Sequence, residues 1–259
     1  MERCCSRIKR LGSRKLINTF LIEKEKLLEV SKKIRKCQRG WELDKSIPME
    51  HIELLSEIAK HSPSKQDEAY FDVYVITQRS LIEKYYKESI GFTAFKGEEA
   101  KPENLVVYEN SQSRANAVFF WCPKDPETMR NFYQPTDKAN NMNDGEMKEA
   151  GTPKDPNEWT RKVENTYASI GVSMGCTSFA AGALGYSTGF NKSHGDFDQH
   201  INIPPPRYSL GIGYPLKDTP HNIDNEGRLF ASFSELGDRD INVTHVTEDN
   251  NTFNKKIIR

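Results

Sequence analysis

The chain has 259 residues, enough to bury one sizeable core, and its 37 basic side chains balance 37 acidic ones. Zero net charge argues against a general role on nucleic acid or on a membrane surface. The five cysteines, Cys4, Cys5, Cys37, Cys122 and Cys176, are odd in number and hold no Cys-x-x-Cys pair, which disfavours a disulfide framework or zinc site and favours a reducing, cytoplasmic setting.

No stretch reads as a secretory leader or a membrane span. Residues 1–33 form a basic extension: Arg3, Arg7, Lys9, Arg10, Arg14 and Lys15 come first, then Leu16, Phe20, Leu27 and Val30 recur at helical spacing. A solvated end leading into a peripheral helix is expected. Next, Arg35, Lys36 and Arg39 fall within five residues, ahead of Trp41. A solvated helix end fits this cluster, and so does a phosphate site, because guanidinium forks match phosphate oxygens.

Pro48 to His61 reads as an amphipathic helix with Ile52, Leu55, Ile58 and Ala59 inward, ended by Ser62-Pro63-Ser64. Tyr70 to Thr77 is strand-like in its β-branched and aromatic content, and Ser80 to Ser89 reads as a helix. Ala115 to Cys122 reads as a buried strand stopped by Pro123. Residues 124–157 are polar and rich in Pro, Asn, Asp and Lys. So long an insertion is a lid, a binding loop or a disordered segment.

The centre of the chain is a long helix of small residues. Ala168, Gly171, Gly175, Ser178 and Gly182 recur at steps of three and four and so share one stripe. Each glycine there costs roughly 1 kcal/mol relative to alanine, so a helix, a backbone or a flat ligand should approach closely. The Gly-x-x-x-Gly pair is not read as a membrane motif, because Thr166, Ser169, Ser173, Thr177 and Ser178 interrupt it; a tight helix–helix contact in a soluble protein is expected instead. Gly185 suits a left-handed helix stop. Tyr186 to Phe190 and Tyr208 to Pro215 read as strands, the second with glycine at alternate positions, a sign of close backbone approach. The stretch His194 to His200 reads as a solvated loop, since its two histidines match no zinc spacing. In residues 237–259, Ile241 and Val243 alternate with polar residues, as in a late strand able to pair with a partner.

These segments, over residues 34–236, together resemble the nitroreductase family of flavin mononucleotide (FMN) enzymes. Arg35-Lys36-Cys37-Gln38-Arg39 with Trp41 resembles the family's Arg-x-Ser-x-Arg-x-Phe, whose cations hold the flavin phosphate. The helix ending in Ser62-Pro63-Ser64 resembles the passage near the flavin ring. There Asp67 and Ala69 stand where the family writes Asn and Gln. Asn110 before the Val118–Cys122 strand, the small-residue helix ending at Leu184-Gly185, and Ile203-Pro204 through Gly213-Tyr214-Pro215 are similar to family features in the same order. Arg228 falls where a second basic residue meets the phosphate.

The resemblance implies an α+β fold, a mixed, largely antiparallel sheet flanked by helices in an intertwined homodimer. It implies FMN held by Arg35, Lys36, Cys37, Arg39, Pro63, Ser64, Asp67, Asn110, Thr188, Gly189 and Arg228. NADH or NADPH would be co-substrate, with a nitroaromatic or quinone as small-molecule acceptor. No side chain is singled out as acid or base, and no metal is expected, because the cofactor carries the chemistry. A non-catalytic flavin-binding or structural dimer is the alternative. Neither nucleic acid nor membrane is expected as a partner.

Overall fold

Burial of one strand on both its faces organises the fold. In the structure, a computed structural model, residues 24–68, 70–95, 105–124, 156–192, 194, 197 and 201–229 are described. The strand Ala117–Pro123 (β4, preceded by β1, Phe71–Ile76, and by β2 and β3 below) is buried along its whole length. Ala117, Phe119 and Trp121 face one core with Ile52 and Leu55, while Val118, Phe120 and Cys122 face another with Ile82 and Tyr85. A strand buried on both faces reads as a continuous apolar run, as Ala-Val-Phe-Phe-Trp-Cys does.

Two more strands complete an antiparallel sheet in the order β1-β4-β6-β5, with β5 at Ser187–Asn191 and β6 at Tyr208–Gly213. The first core is covered by helix α2 (Met49–Lys60) and by a 28-residue helix, Pro156–Ala183, here α4. The second is covered by α3 (Arg79–Glu88). Residues 24–34 are helical as well (α1), the described part of the peripheral helix expected at Lys15 to Lys33. The α+β architecture and the antiparallel sheet agree with expectation. The hairpin of β2 (Phe92–Phe95) and β3 (Leu105–Tyr108) was not anticipated. Among the described residues no helix is long and apolar enough to cross a membrane.

Helix α4 is tied to the sheet by its small polar residues. Ser173 Oγ accepts from Trp121 Nε1 at 2.9 Å and donates to the Ala59 carbonyl at 2.8 Å, joining β4, α4 and α2 through one hydroxyl. A buried indole N–H without such an acceptor would cost about 1–3 kcal/mol. The helix stops as its sequence suggests. Gly185 has φ +96°, Tyr186 N–H reaches the Ala181 carbonyl at 2.9 Å, and Gly185 N–H reaches Gly182 at 3.0 Å. These are the paired bonds of a Schellman stop.

The alternating glycines of β6 exist for close approach. The short turn Ser111–Arg114 lies across this strand, and a Cβ on Gly211 would strike the Gln112 carbonyl oxygen and sit 2.9 Å from Ala115 Cβ. The α4 stripe only partly meets its expectation. A Cβ on Gly182 would stand 2.5 Å from Ile34 and 3.0 Å from Val30 on α1, whereas Gly171 and Gly175 meet nothing within 4 Å. One expectation is corrected: His194 and Phe197 are buried, and Tyr85, whose hydroxyl meets His194 Nδ1, comes from a distant segment. The basic arm up to residue 23, residues 125–155 of the insertion, and the tail with Ile241 and Val243 lie outside the described residues.

These environments predict opposite responses to one methyl group. Gly211→Ala should destabilise the protomer by roughly 1–3 kcal/mol through overpacking. Gly171→Ala should leave stability unchanged or raise it by up to about 1 kcal/mol through helix propensity. Urea unfolding of the two variants measures both.

Candidate functional site

The open part of the glycine stripe forms the floor of a groove of about 360 Å³ between α4 and the outer strands. Ile34 and Cys37 stand at one end, with Ser178 and Thr188, whose hydroxyls bond to each other at 2.9 Å. Gly171, Gly175 and Met174 continue the floor, and Tyr167, Phe190 and Tyr208 stand at the other end. Tyr167 and Ser178 are about 16 Å apart along the helix axis. The groove is therefore long, shallow and largely apolar.

The segment after α1 is fixed to this groove by main-chain bonds. Gln38 N–H donates to the Thr188 carbonyl at 2.8 Å, and a Cβ on Gly189 would sit 2.8 Å from the Gln38 carbonyl. Thus Cys37, Thr188 and Gly189, far apart in sequence, meet at one place. Arg39 N–H donates to the His221 carbonyl at 3.0 Å. Burial lowers the Arg39 pKa, with Cys37 and Asp224 opposing, and burial plus the charges of Lys36 and Arg39 lower that of His221. Lys36 and Arg39 thus place positive charge beside Cys37, next to a His221 whose charged form they disfavour. Arg35 lies half-buried within the same segment.

The remaining expected residues go elsewhere. Asn110 is buried behind β5: it donates to Asn191 Oδ1 at 2.7 Å and accepts from Gln112 N–H at 3.1 Å. Arg228 donates to Asp224 at 2.6 Å and to the Tyr86 hydroxyl at 2.8 Å, with Glu226 and Glu109 at 3.3 and 3.4 Å. Burial works against its charge, but these partners outweigh it and raise the pKa. Ser64 and Asp67 line a second hollow of about 440 Å³ against α2 and β1, which shares no lining residue with the groove. Pro63 is exposed beside it, and Asp67 adopts φ +59° on the turn Lys65–Asp67.

Sequence reasoning did not single out Tyr167, Phe190 or Tyr208 as site residues. Their signal is period two and helical spacing: Thr188 and Phe190 share a strand face, and Tyr167 precedes Gly171 by four residues on α4. Among the described residues no group of His, Cys, Asp and Glu is placed to hold a metal.

No protein-family model and no curated protein matches the sequence. Solved structures of nitroreductases are similar to the chain. NfrA1 nitroreductase from B. subtilis is 10% identical over 74% of this chain and 67% of its own, with TM-score 0.48. A nitroreductase-like protein from Streptococcus mutans is 16% identical over 80% and 94%, also at 0.48. NfrA2 from B. megaterium is 12% identical over 76% and 69%, at 0.49. At such identities what the groove does must be read from its own residues.

Behind the groove, Tyr85 Oη meets His194 Nδ1 at 2.8 Å and Ser209 Oγ at 2.9 Å, and accepts from Asn191 Nδ2 at 2.8 Å. Burial, with the Arg207 charge nearby, outweighs a hydrogen bond to the Arg207 backbone and lowers the His194 pKa to about 4. The unfolded chain takes up this proton near pH 6.5, the folded one only near 4. The stabilisation is therefore complete above pH 6.5 and is lost as the pH falls to 4, by about 3 kcal/mol. Unfolding titrations across that window should show this slope in the wild type and a flatter one in His194→Gln.

Proposed function

We propose that the chain is a divergent member of the nitroreductase family that binds FMN in the α4 groove. In this reading it passes hydride from NADH or NADPH to a small electrophile such as a nitroaromatic or quinone. The observation that carries the reading is the convergence of Cys37 with Thr188 and Gly189. Two motifs identified separately in the sequence meet at one end of a single groove.

The residues present fit such a cofactor. The charges of Lys36 and Arg39 suit a phosphate, with Arg35 in the same segment and His221 beside them. A glycine floor without side chains suits a flat ring system, and the Ser178 and Thr188 hydroxyls can hydrogen-bond polar atoms along it. Bound flavin supplies the two-electron chemistry, hydride in from a reduced nicotinamide and out to the acceptor. The protein's part is to bind, orient and shield. Gly171 and Gly175 let a ring approach the helix backbone, and Cys37 with its cationic neighbours fixes one end.

The reading includes a homodimer. Ser64 and Asp67 stand apart from the groove within one protomer, so a second copy is the route by which they would join a flavin site. Asn110 would then act indirectly, by holding β5 through Asn191. Arg228 would act through Asp224, which also interacts with Arg39.

A second reading, a flavin-binding or structural dimer without turnover, is favoured by the carboxylates around Arg228, which oppose its use as a phosphate ligand. Oxidation of NADH or NADPH by the flavin-loaded protein separates the two.

The first test is the visible spectrum of the purified protein and of the supernatant after denaturation. Released FMN is expected, and its absence from protein reconstituted with excess FMN would remove the reading. Arg39→Gln should weaken FMN binding about 10- to 100-fold by removing a charged hydrogen bond, with the fold retained by circular dichroism. Gly175→Leu should fill the groove and lower FMN retention. Sedimentation velocity at micromolar concentration should show a dimer, and a monomer there would end the two-copy site.

A further inference from the structure

The segment after Cys37 runs as an extended stretch beside the end of β6. Gly40 accepts from Leu216 N–H at 2.9 Å and Glu42 N–H donates to the Tyr214 carbonyl at 3.0 Å, with Trp41 opposite Pro215. In an antiparallel pair the main-chain groups of the intervening residue point the other way. The Trp41 N–H and carbonyl therefore face away from Tyr214 and Leu216, and there they meet a single side chain. Asn225 Oδ1 accepts from Trp41 N–H at 3.0 Å, and Asn225 Nδ2 donates to the Trp41 carbonyl at 2.8 Å. A carboxamide carries both an acceptor and donors, so it takes the place of a neighbouring strand's peptide unit. On the same side Arg39 N–H donates to the His221 carbonyl at 3.0 Å. Trp41 is fully buried, and its indole N–H donates to the Ser111 carbonyl at 2.9 Å. Asn225 is itself held in a closed turn: Asp224 Oδ1 accepts from the main-chain N–H of Glu226 and of Arg228, and Ile223 pairs with Leu229.

We propose that Asn225 is a positioning residue for the phosphate end of the flavin, acting through Trp41 to hold the strand that carries Lys36, Cys37 and Arg39. The proposal deepens the flavin reading and rests on it. Asn225 touches no ligand atom in this role. Its two bonds fix the outer side of the strand, while Gln38 N–H fixes the other end to the Thr188 carbonyl. Hydrogen bonds to a phosphate weaken steeply as distance and angle depart from their optimum. A shift of this strand would thus be felt at the phosphate. The glycine floor belongs to α4, a separate element, and would not move with it. Loss of the clamp should therefore cost affinity for the phosphate and spare affinity for the ring.

The test compares FMN with riboflavin, which has the same ring and side chain but lacks the phosphate. Fluorescence titration of flavin-free protein should show FMN binding roughly 10- to 100-fold more tightly in the wild type, the worth of a charged hydrogen bond. Asn225→Ala should lose about ten-fold in FMN affinity and leave riboflavin affinity unchanged, with the fold retained by circular dichroism. Asn225→Gln keeps the carboxamide one methylene further out and should fall between the two. It also supplies the comparison if the alanine variant does not fold. A general loss of stability would weaken both flavins alike, and that outcome would overturn the positioning role. FMN preferred in the wild type, with the same preference in both variants, removes the role of Asn225 and leaves the flavin reading standing. A wild type that binds neither flavin removes the flavin reading, and one that binds both equally removes the phosphate anchor; either result removes the role of Asn225 as well.

Discussion

The fold depends on the Ser173 hydroxyl that joins Trp121 to Ala59. Through it α4 lies close to both β4 and α2, and only small residues allow that closeness. Thr166, Ser169 and Thr177 are buried on the same helix, and Thr177 returns its own proton to the Ser173 carbonyl at 2.8 Å. A helix of larger apolar residues would stand further from the sheet. Because α4 packs through its small polar side, Gly171 and Gly175 are left facing outward, and the groove is the open side of the same helix. Packing and site are thus two faces of one sequence choice.

Electrostatics divides the basic residues in the same manner. Arg228 is surrounded by Asp224, Glu226, Glu109 and Tyr86 and clasps the segment after β6 to the α3 region. Arg114 does similar work, bonding Glu83 at 3.0 Å and pairing with Glu226. Lys36 and Arg39 instead press on His221, a neighbour whose charged form they disfavour. Arg39 also interacts with Asp224, the carboxylate that Arg228 bonds at 2.6 Å, so the two arginines share one acidic neighbour.

Much of the architecture was legible because its signals are local. The apolar run of β4, the α2 periodicity, the stop at Gly185 and the alternating glycines of β6 each reflect contacts that the chain's own period dictates. The strand ends shifted by one or two residues, as at Phe71–Ile76 and Ala117–Pro123. Less legible were features whose partners are remote. His194 resembles a solvated loop residue until Tyr85 and Ser209 are brought beside it. The β2–β3 hairpin pairs four-residue strands too short to show a period. The candidate groove was legible at Cys37 and Thr188, which two separate motifs supply and the fold brings together. It was not at Arg228, whose role is set by carboxylates from three separate positions.

The glycine stripe shows why spacing alone cannot name an occupant. Spacing requires that something lie against each glycine, and at Gly182 that something is α1, through Ile34 and Val30. One and two turns earlier the same stripe faces open space at Gly175 and Gly171. The helical cost of glycine is similar at all three positions, so the open pair lacks the packing that offsets it at Gly182. The hydroxyls of Ser178 and Thr188 and the rings of Tyr167, Phe190 and Tyr208 line that open half. Among the described residues, helix packing on the stripe is therefore confined to Gly182, and one spacing serves packing at one end and an open groove at the other.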